Sequence, residues 1–187
     1  MKTTAKIELF ESGIVVFDPV ALNEFVISNA IQSHDLFDFF LNNEKVGRSA
    51  VESGVIVPIY QVPQTEYSFF LKGVGNDSSF KGAKEVLCCS DIPLKVVSDL
   101  VVVADLNALM DWDEVFFMNY RAVCADGLGN NDYLDVVSGF YALSIKGFKG
   151  LNYLFVSLGY ELAFDPVGSL PSLSIAATSE DWGFSIV

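Results

Sequence analysis

Apolar residues near the start of the chain occur in two short runs, Lys6 to Phe10 and Ile14 to Phe17. Between them lies Glu11-Ser12-Gly13, a three-residue loop in which the glycine can adopt a positive φ. The pattern therefore predicts a β-hairpin. Asp18 and Pro19 are typical of a helix start, because Asp caps the first turn and Pro fits inside it.

Residues 20–41 repeat their apolar positions at close to the period of an α-helix. Ser33 is placed to cap a second helix that ends before Asn42 and Asn43. Residues 44–52 are expected to add a further turn. The pattern thus predicts a helical segment over about residues 19–53.

Beyond Gly54 the period changes toward two, which predicts strands. Residues 94–104 are apolar on both faces toward their end, as expected of a central strand. Residues 105–112 suit one short helix. Residues 115–124 place apolar side chains at the even-numbered positions, which predicts another strand.

The regular alternation late in the chain predicts a long strand over residues 152–164 with one buried face. Its apolar row is Leu154, Val156, Leu158, Tyr160, Leu162 and Phe164. Trp182, Phe184 and Ile186 are expected to close the sheet as a last strand. The chain is therefore predicted to be α+β and mainly antiparallel, either a sandwich or a curled sheet. We expect one domain over residues 1–187, with the helical segment near the N-terminus and a β-rich portion over 55–187.

Charge narrows the choice of partner. The chain has 24 acidic and 11 basic residues, a net charge of −13, with an isoelectric point near 4.2. This excess opposes binding to nucleic acid and to anionic membranes. It favours a basic protein partner, although acidity that only maintains solubility remains the alternative. The longest aliphatic run, Leu100 to Ala104, is far shorter than the roughly 20 residues that cross a bilayer.

The acidic residues are concentrated between Asp99 and Asp135, where Arg121 is the only base. Trp112 lies within this window and could serve as an aromatic anchor for a basic protein, the alternative being a place in the core. The carboxylates flank the predicted strand 115–124, so a hairpin-like path could bring them to the same end of the sheet. The candidate partner-binding residues are Asp111, Trp112, Asp113, Glu114, Asp126, Asp132 and Asp135.

The residues that usually perform catalysis are sparse. His34 is the only histidine, and its neighbours on a helix would not face it. The segment 126–135 is rich in oxygen ligands, but Leu128 and Asn131 stand where a calcium loop needs a ligand and a glycine. The sequence therefore predicts no enzyme, no metal and no cofactor, with an unrecognised carboxylate-dependent enzyme as a weaker alternative.

Cys88, Cys89 and Cys124 are predicted to be unpaired thiols, since they are odd in number and adjacent cysteines rarely bridge. The charged start of the chain lacks the apolar centre of a signal peptide. Both observations predict a cytoplasmic protein.

Residues 137–148, followed by 152–164, show a glycine, an aromatic pair, an alternating strand and further glycines. This stretch resembles a segment of β-rich immunity proteins from bacterial polymorphic toxin systems, and competence-associated nuclease inhibitors carry a similar stretch. The resemblance implies a protein that neutralises a cognate toxin by tight binding, often by covering its active site.

The leading hypothesis is thus an immunity or inhibitor protein whose acidic loops bind a basic surface on a cognate toxin, for example a nuclease. The first alternative is a β-rich module that binds a small molecule in an aromatic-lined pocket. The second is a non-catalytic scaffold protein. Nothing in the pattern indicates an oligomeric state.

Overall fold

The structure is a computed structural model and describes residues 1–73, 80–124, 128–173 and 184–186. Its helices are α1 (Pro19–Ser28), α2 (Leu36–Asn42), α3 (Glu44–Glu52), α4 (Asn107–Met110), α5 (Glu114–Met118) and α6 (Tyr120–Val123). Its strands are β1 (Thr4–Glu8), β2 (Gly13–Phe17), β3 (Ile56–Tyr60), β4 (Glu66–Leu71), β5 (Lys84–Val96), β6 (Leu100–Asp105), β7 (Asn131–Asp135), β8 (Gly139–Tyr153) and β9 (Val156–Val167).

The strands form two sheets. The larger has the order β1-β4-β9-β8-β5, and the smaller has the order β3-β2-β6-β7. Every pair is antiparallel except β4 with β9. The predicted class, α+β with mainly antiparallel sheets, is confirmed.

The two central strands of the smaller sheet, β2 and β6, are buried on both faces, which explains their almost entirely apolar sequences. On β2, Ile14 and Val16 face the larger sheet, whereas Val15 and Phe17 face the helices. On β6, Val101 and Val103 likewise belong to the core between the sheets. The molecule therefore has three layers, with the smaller sheet in the middle.

The helices cover the outer face of the smaller sheet, and they come from two parts of the chain. Helices α1, α2 and α3 supply Leu22, Leu36 and Ala50 to the outer core, and α4 and α5 add Leu109 and Phe117. The helical layer is thus not confined to the N-terminal segment.

The predicted N-terminal hairpin is wrong. Strand β1 pairs with β4 in the larger sheet, whereas β2 pairs with β3 and β6 in the smaller one. Residues 9–12 therefore cross between two sheets. The carboxylate of Asp105 holds this crossing by accepting hydrogen bonds from the N–H groups of Phe10 and Glu11, at 2.6 and 2.8 Å.

Residues 20–41 form two helices, as predicted, but the break between them and the cap of the second differ from the prediction. Helix α1 begins at Pro19 with Asp18 as its cap, as predicted. Residues 29–35 then leave the helix, and Ala30 adopts a φ of 51°. The cap of α2 is Asp35, which accepts a hydrogen bond from the N–H of Asp38, rather than Ser33.

Residues 55–165 are mostly strand, as predicted, but one predicted strand is split in two and another is replaced by helices. The apolar stretch 94–104 is split into the end of β5 and all of β6, with Asp99 at a φ of 55° between them. Residues 115–124 are helical rather than extended, because the buried side chains are Phe117, Tyr120 and Cys124, at helical spacing.

The predicted strand 152–164 is interrupted by a two-residue turn at Leu154 and Phe155, between Tyr153 and Val156. Leu154 is therefore exposed rather than buried, whereas Tyr160 and Leu162 are fully buried as expected. Phe184 and Ile186 are buried in the core between the sheets but do not form a strand. Trp182 lies outside the described residues.

Candidate protein-binding surface

Three candidate carboxylates lie at the start of α5. Asp113 caps this helix, with its Oδ1 atom 2.9 Å from the N–H of Phe116. Glu114 Oε1 accepts a hydrogen bond from the side-chain amide of Asn23 on α1, at 3.0 Å. Asp111 follows α4 directly and is exposed. The three carboxylates are thus held by α1, α4 and α5 at the surface of the helical layer.

Trp112 lies beneath these carboxylates. Its side chain is 6% exposed, and its ring stacks on Phe117 with centroids 5.0 Å apart and an interplanar angle of 4°. The ring also meets Phe17 of β2 edge to face, and the backbone N–H of Trp112 donates to the backbone carbonyl of His34. Trp112 therefore supports the surface as a core residue, and it offers too little exposed area to act as the anchor that the sequence suggested.

The carboxylates at the start of α5 are exposed and lack cationic partners. No salt bridge among the described residues involves Asp111, Asp113 or Glu114. Their charges are therefore balanced mainly by solvent and mobile ions, which an approaching cation could replace.

Apolar side chains are exposed beside this acidic group. Val115 is 73% exposed on α5 and Met118 is 42% exposed one turn later. Val123, on α6, is also exposed. We refer to Asp111, Asp113, Glu114, Val115 and Met118 as the α5 surface. It combines uncompensated negative charge with apolar area, a combination that suits a protein partner.

Asp132 and Asp135 lie on β7 in a different setting. Asp132 forms an ion pair with Lys2 and accepts a hydrogen bond from the N–H of Lys6 at 3.1 Å. Asp135 lies 2.6 Å from Arg121 and 3.7 Å from the N-terminal amine of Met1. Both carboxylates are therefore already neutralised by cations of the same chain.

The seven candidate residues are thus divided by the structure. Three carboxylates form the acidic part of the α5 surface, two belong to ion pairs on β7, and Trp112 is in the core. Asp126 lies outside the described residues. Helices α5 and α6 take the place of the strand that the sequence predicted over residues 115–124.

Two buried carboxylates within the described chain were not recognised as important from the sequence. Asp18 is fully buried and, besides capping α1, accepts hydrogen bonds from the N–H groups of Val97 and Ser98, each at 2.7 Å. Asp105 is also fully buried and holds the crossing before β2. Their position at the ends of apolar strands was visible in the sequence, but their distant partners were not. Both residues organise loops and are not accessible to a partner.

Two titratable groups between Asp99 and Asp135 have pKa values shifted by their surroundings. Hydrogen bonds from the side chain and backbone of Ser138 lower the pKa of Asp99. Burial raises the pKa of Tyr120 well above its ordinary range, and its hydroxyl donates to the side chain of Asn131. Asp99 thus stabilises the turn that Ser138 also contacts, and the Tyr120 hydrogen bond connects α6 to β7.

Within the described ranges, no group of three or more His, Cys, Asp or Glu side chains could hold a metal ion. No disulfide joins Cys88, Cys89 and Cys124. Burial raises the pKa of both Cys89 and Cys124, which disfavours their reactive thiolate forms. In the described part of the chain, no helix is both long and apolar enough to cross a membrane.

Comparisons with known proteins gave little similarity. No family model and no curated protein matches the chain. Among solved structures, the chain is similar to ComJ of Bacillus subtilis, an inhibitor of the DNA-degrading activity of NucA. The two share 12% identity and a TM-score of 0.43 over 88% of this chain and 95% of ComJ. Similarity at this level does not establish a common fold or a common function.

Proposed function

We propose that this protein is a non-catalytic inhibitor of the immunity type, which binds a basic protein toxin through the α5 surface. The observation that carries the proposal is the placement of Asp111, Asp113 and Glu114, which are exposed and have no salt bridge among the described residues. They directly precede the exposed apolar side chains of α5, and the buried rings of Trp112 and Phe117 pack in the same segment.

Electrostatics supports a basic partner. The chain carries a net charge of −13, which accelerates encounter with a positive surface and slows encounter with a negative one. The carboxylates of the α5 surface add a local concentration of this charge. Nucleases bind the phosphates of their substrates with Lys and Arg, so their clefts are suitable targets for a surface that presents carboxylates in place of phosphates.

Packing supports a surface that changes little on binding. Trp112, between Asp111 and Asp113 in the chain, is buried and stacks on Phe117, Asp113 caps α5, and Glu114 is held by Asn23. A partner would therefore meet carboxylates that already have limited freedom, which reduces the entropic cost of association. Val115 and Met118 supply the apolar area that the carboxylates lack.

Asp132 and Asp135 have a secondary role in this proposal. Because each is already paired with a cation, a partner would have to displace Lys2 or Arg121 to use it. They contribute to the long-range field and not to direct contact. The proposed contact therefore centres on α5 rather than on the whole acidic window.

The experiment uses neutral substitutions that keep the local hydrogen bonds. The test variant combines Asp111→Asn, Asp113→Ser and Glu114→Gln, since Ser still caps a helix and Gln still accepts from Asn23. The control combines Glu44→Gln, Asp91→Asn and Asp165→Asn, three exposed sites elsewhere that change the net charge equally. Each protein is immobilised and exposed to a lysate of the native host, and captured proteins are identified by mass spectrometry.

The expected partner is a basic protein that the wild type and the control retain and the test variant loses. Its enzymatic activity, assayed on DNA and RNA, should fall as wild-type protein is added and should recover when the test variant is used instead. Equal capture by the test variant and the control would contradict the α5 surface. Failure of any basic protein to bind the wild type would contradict the inhibitor function itself.

A further inference from the structure

The turn between β8 and β9 has an unusual backbone. Tyr153 pairs with Val156, so Leu154 and Phe155 form a two-residue turn, and their φ angles are 47° and 66°. Turns of this kind require positive φ at both positions, and Asn and Gly normally occupy them. Two bulky apolar residues in this conformation carry a conformational cost.

The side chains of this turn are also exposed. Phe155 is fully exposed, at 104%, and Leu154 is 60% exposed. Neither the backbone strain nor the exposed apolar area is offset by burial within the chain. Strain and exposure at the same two residues indicate that the turn has a role outside the folded monomer.

An open groove of about 460 Å³ lies directly beside this turn. Leu154, Tyr153 and Leu128 contribute to its lining, and Leu128 is 45% exposed. The projecting side chain of Phe155 and a groove lined by both apolar and charged side chains are therefore neighbours on the surface. We refer to Leu128, Tyr153, Leu154 and Phe155 as the tip patch.

The charges around the groove are mixed. Lys6 pairs with Glu66 at 2.7 Å, and Lys2 pairs with Asp132. All four residues line the groove, together with Glu8. In a chain with a net charge of −13, this is a place where two acidic molecules could approach with little repulsion, because these cations and anions already balance each other within each molecule.

We propose that the tip patch is the contact between two copies of this chain. A twofold interface places the same patch on both molecules, so the patch must contain both the projecting and the receiving element. Here Phe155 projects and the groove beside Tyr153 and Leu154 receives. The inference is independent of the α5 surface and of the proposed inhibitor function.

The test variant replaces the turn with the residues that its backbone prefers, Leu154→Asn combined with Phe155→Gly. These changes remove the apolar projection and relieve the positive φ angles, so the hairpin should be retained or stabilised. The control is Ile27→Gln, which removes an exposed apolar side chain on α1. Sedimentation velocity and light scattering measure the mass of each protein across a wide concentration range, and thermal unfolding verifies the fold.

The mass of the wild type and of the control should rise with concentration toward that of two 20.5 kDa chains. The dissociation constant of the test variant should be at least about tenfold higher, as for loss of a central aromatic contact. A wild type that stays monomeric, or a test variant that associates equally well, would overturn the proposal. It would also be overturned if the wild type were monomeric and bound a different protein that the test variant does not bind. The turn would then be a contact with that protein and not with a second copy of this chain.

Discussion

The rings of Trp112 and Phe117 lie almost parallel, 5.0 Å apart, beneath the surface formed by the start of α5. Phe17 of β2 meets both rings edge to face. The three rings connect the middle layer of the molecule with the loop that carries Asp111 and Asp113. The position of this loop therefore depends on aromatic packing as well as on the hydrogen bond by which Asp113 caps α5.

Truncating Trp112 should lower the free energy of unfolding more than it weakens binding of the basic partner by the folded protein. Trp112→Ala leaves a large cavity in the outer core, so we expect the free energy of unfolding to fall by about 3 to 5 kcal/mol. Urea unfolding followed by circular dichroism measures this change. Val115→Ala, at an exposed position, serves as the control and should change stability by less than about 0.5 kcal/mol. A Trp112→Ala protein with full stability but no partner binding would restore Trp112 as a contact residue.

Charge reversal should affect binding at the carboxylates of the α5 surface and stability at the carboxylates of β7. Asp111→Lys should leave stability nearly unchanged and slow association with the basic partner, with the difference shrinking as salt is added. Asp132→Lys should instead destabilise the protein by about 3 kcal/mol or more, because the new cation would face Lys2 in a buried site. Chemical unfolding and stopped-flow association at two salt concentrations test both expectations. Similar losses of stability in the two variants would contradict this division.

Alkaline pH should unfold the protein by ionising buried tyrosines. Burial raises the pKa of Tyr67 from 10.0 to about 12, and it raises the pKa values of Tyr120 and Tyr160 further. Because the folded-state pKa values are raised, this contribution to stability is complete below pH 10 and declines as the pH rises toward and beyond 12.

The measurement is the free energy of unfolding in urea at a series of pH values above 8, together with phenolate absorbance. Ionisation of the buried tyrosines and loss of structure should coincide. Tyr67→Phe should reduce the dependence of stability on pH, while the lost hydrogen bond to the carbonyl of Pro63 costs about 1 kcal/mol at neutral pH. If all the tyrosines ionised while the protein stayed folded, alkaline unfolding could not be attributed to the buried tyrosines.

Removing the carboxylate of Asp18 should be among the more damaging single changes. Asp18→Ala would leave the N–H groups of Val97 and Ser98, as well as the first turn of α1, without their acceptor. We expect a loss of about 3 kcal/mol or more, since bonds to a charged group contribute about 1.5 to 3 kcal/mol each. Asp35→Ala, which removes only the exposed cap of α2, is the matched control and should cost about 1 kcal/mol. Comparable losses would show that the second function of Asp18 is unimportant.

Local patterns predicted the parts of the fold that local interactions determine. The burial of Val156, Tyr160 and Leu162 on β9 and the start of α1 at Asp18 and Pro19 all followed from local patterns. The loop before β2 was misinterpreted because its composition suits a hairpin, whereas β1 pairs with β4, some 60 residues away. At residues 115–124 the apolar positions fit both periods, and contact with the aromatic core decided in favour of a helix.

The candidate site was predictable only in outline. The concentration of acidic residues and the exposed loop around Asp111 and Asp113 were visible in the sequence. The neutralisation of Asp132 by Lys2 was not, because the two residues are 130 positions apart. The burial of Trp112 was also hidden, since it depends on Phe17, which lies on a distant strand.

Because β2 is buried on both faces, the hydrophobic effect does not by itself prevent a one-residue shift of its register. In most strands, a slip by one position would turn apolar side chains toward water. In β2 both faces are apolar, so hydrophobicity alone would tolerate the slip. The register of β2 against β6 is instead specified by two carboxylates in reciprocal positions. Asp18, which follows β2, accepts hydrogen bonds from Val97 and Ser98 before β6. Asp105, which ends β6, accepts hydrogen bonds from Phe10 and Glu11 before β2. A displaced strand would break both clamps at once, so polar groups determine the alignment of the most apolar part of the molecule.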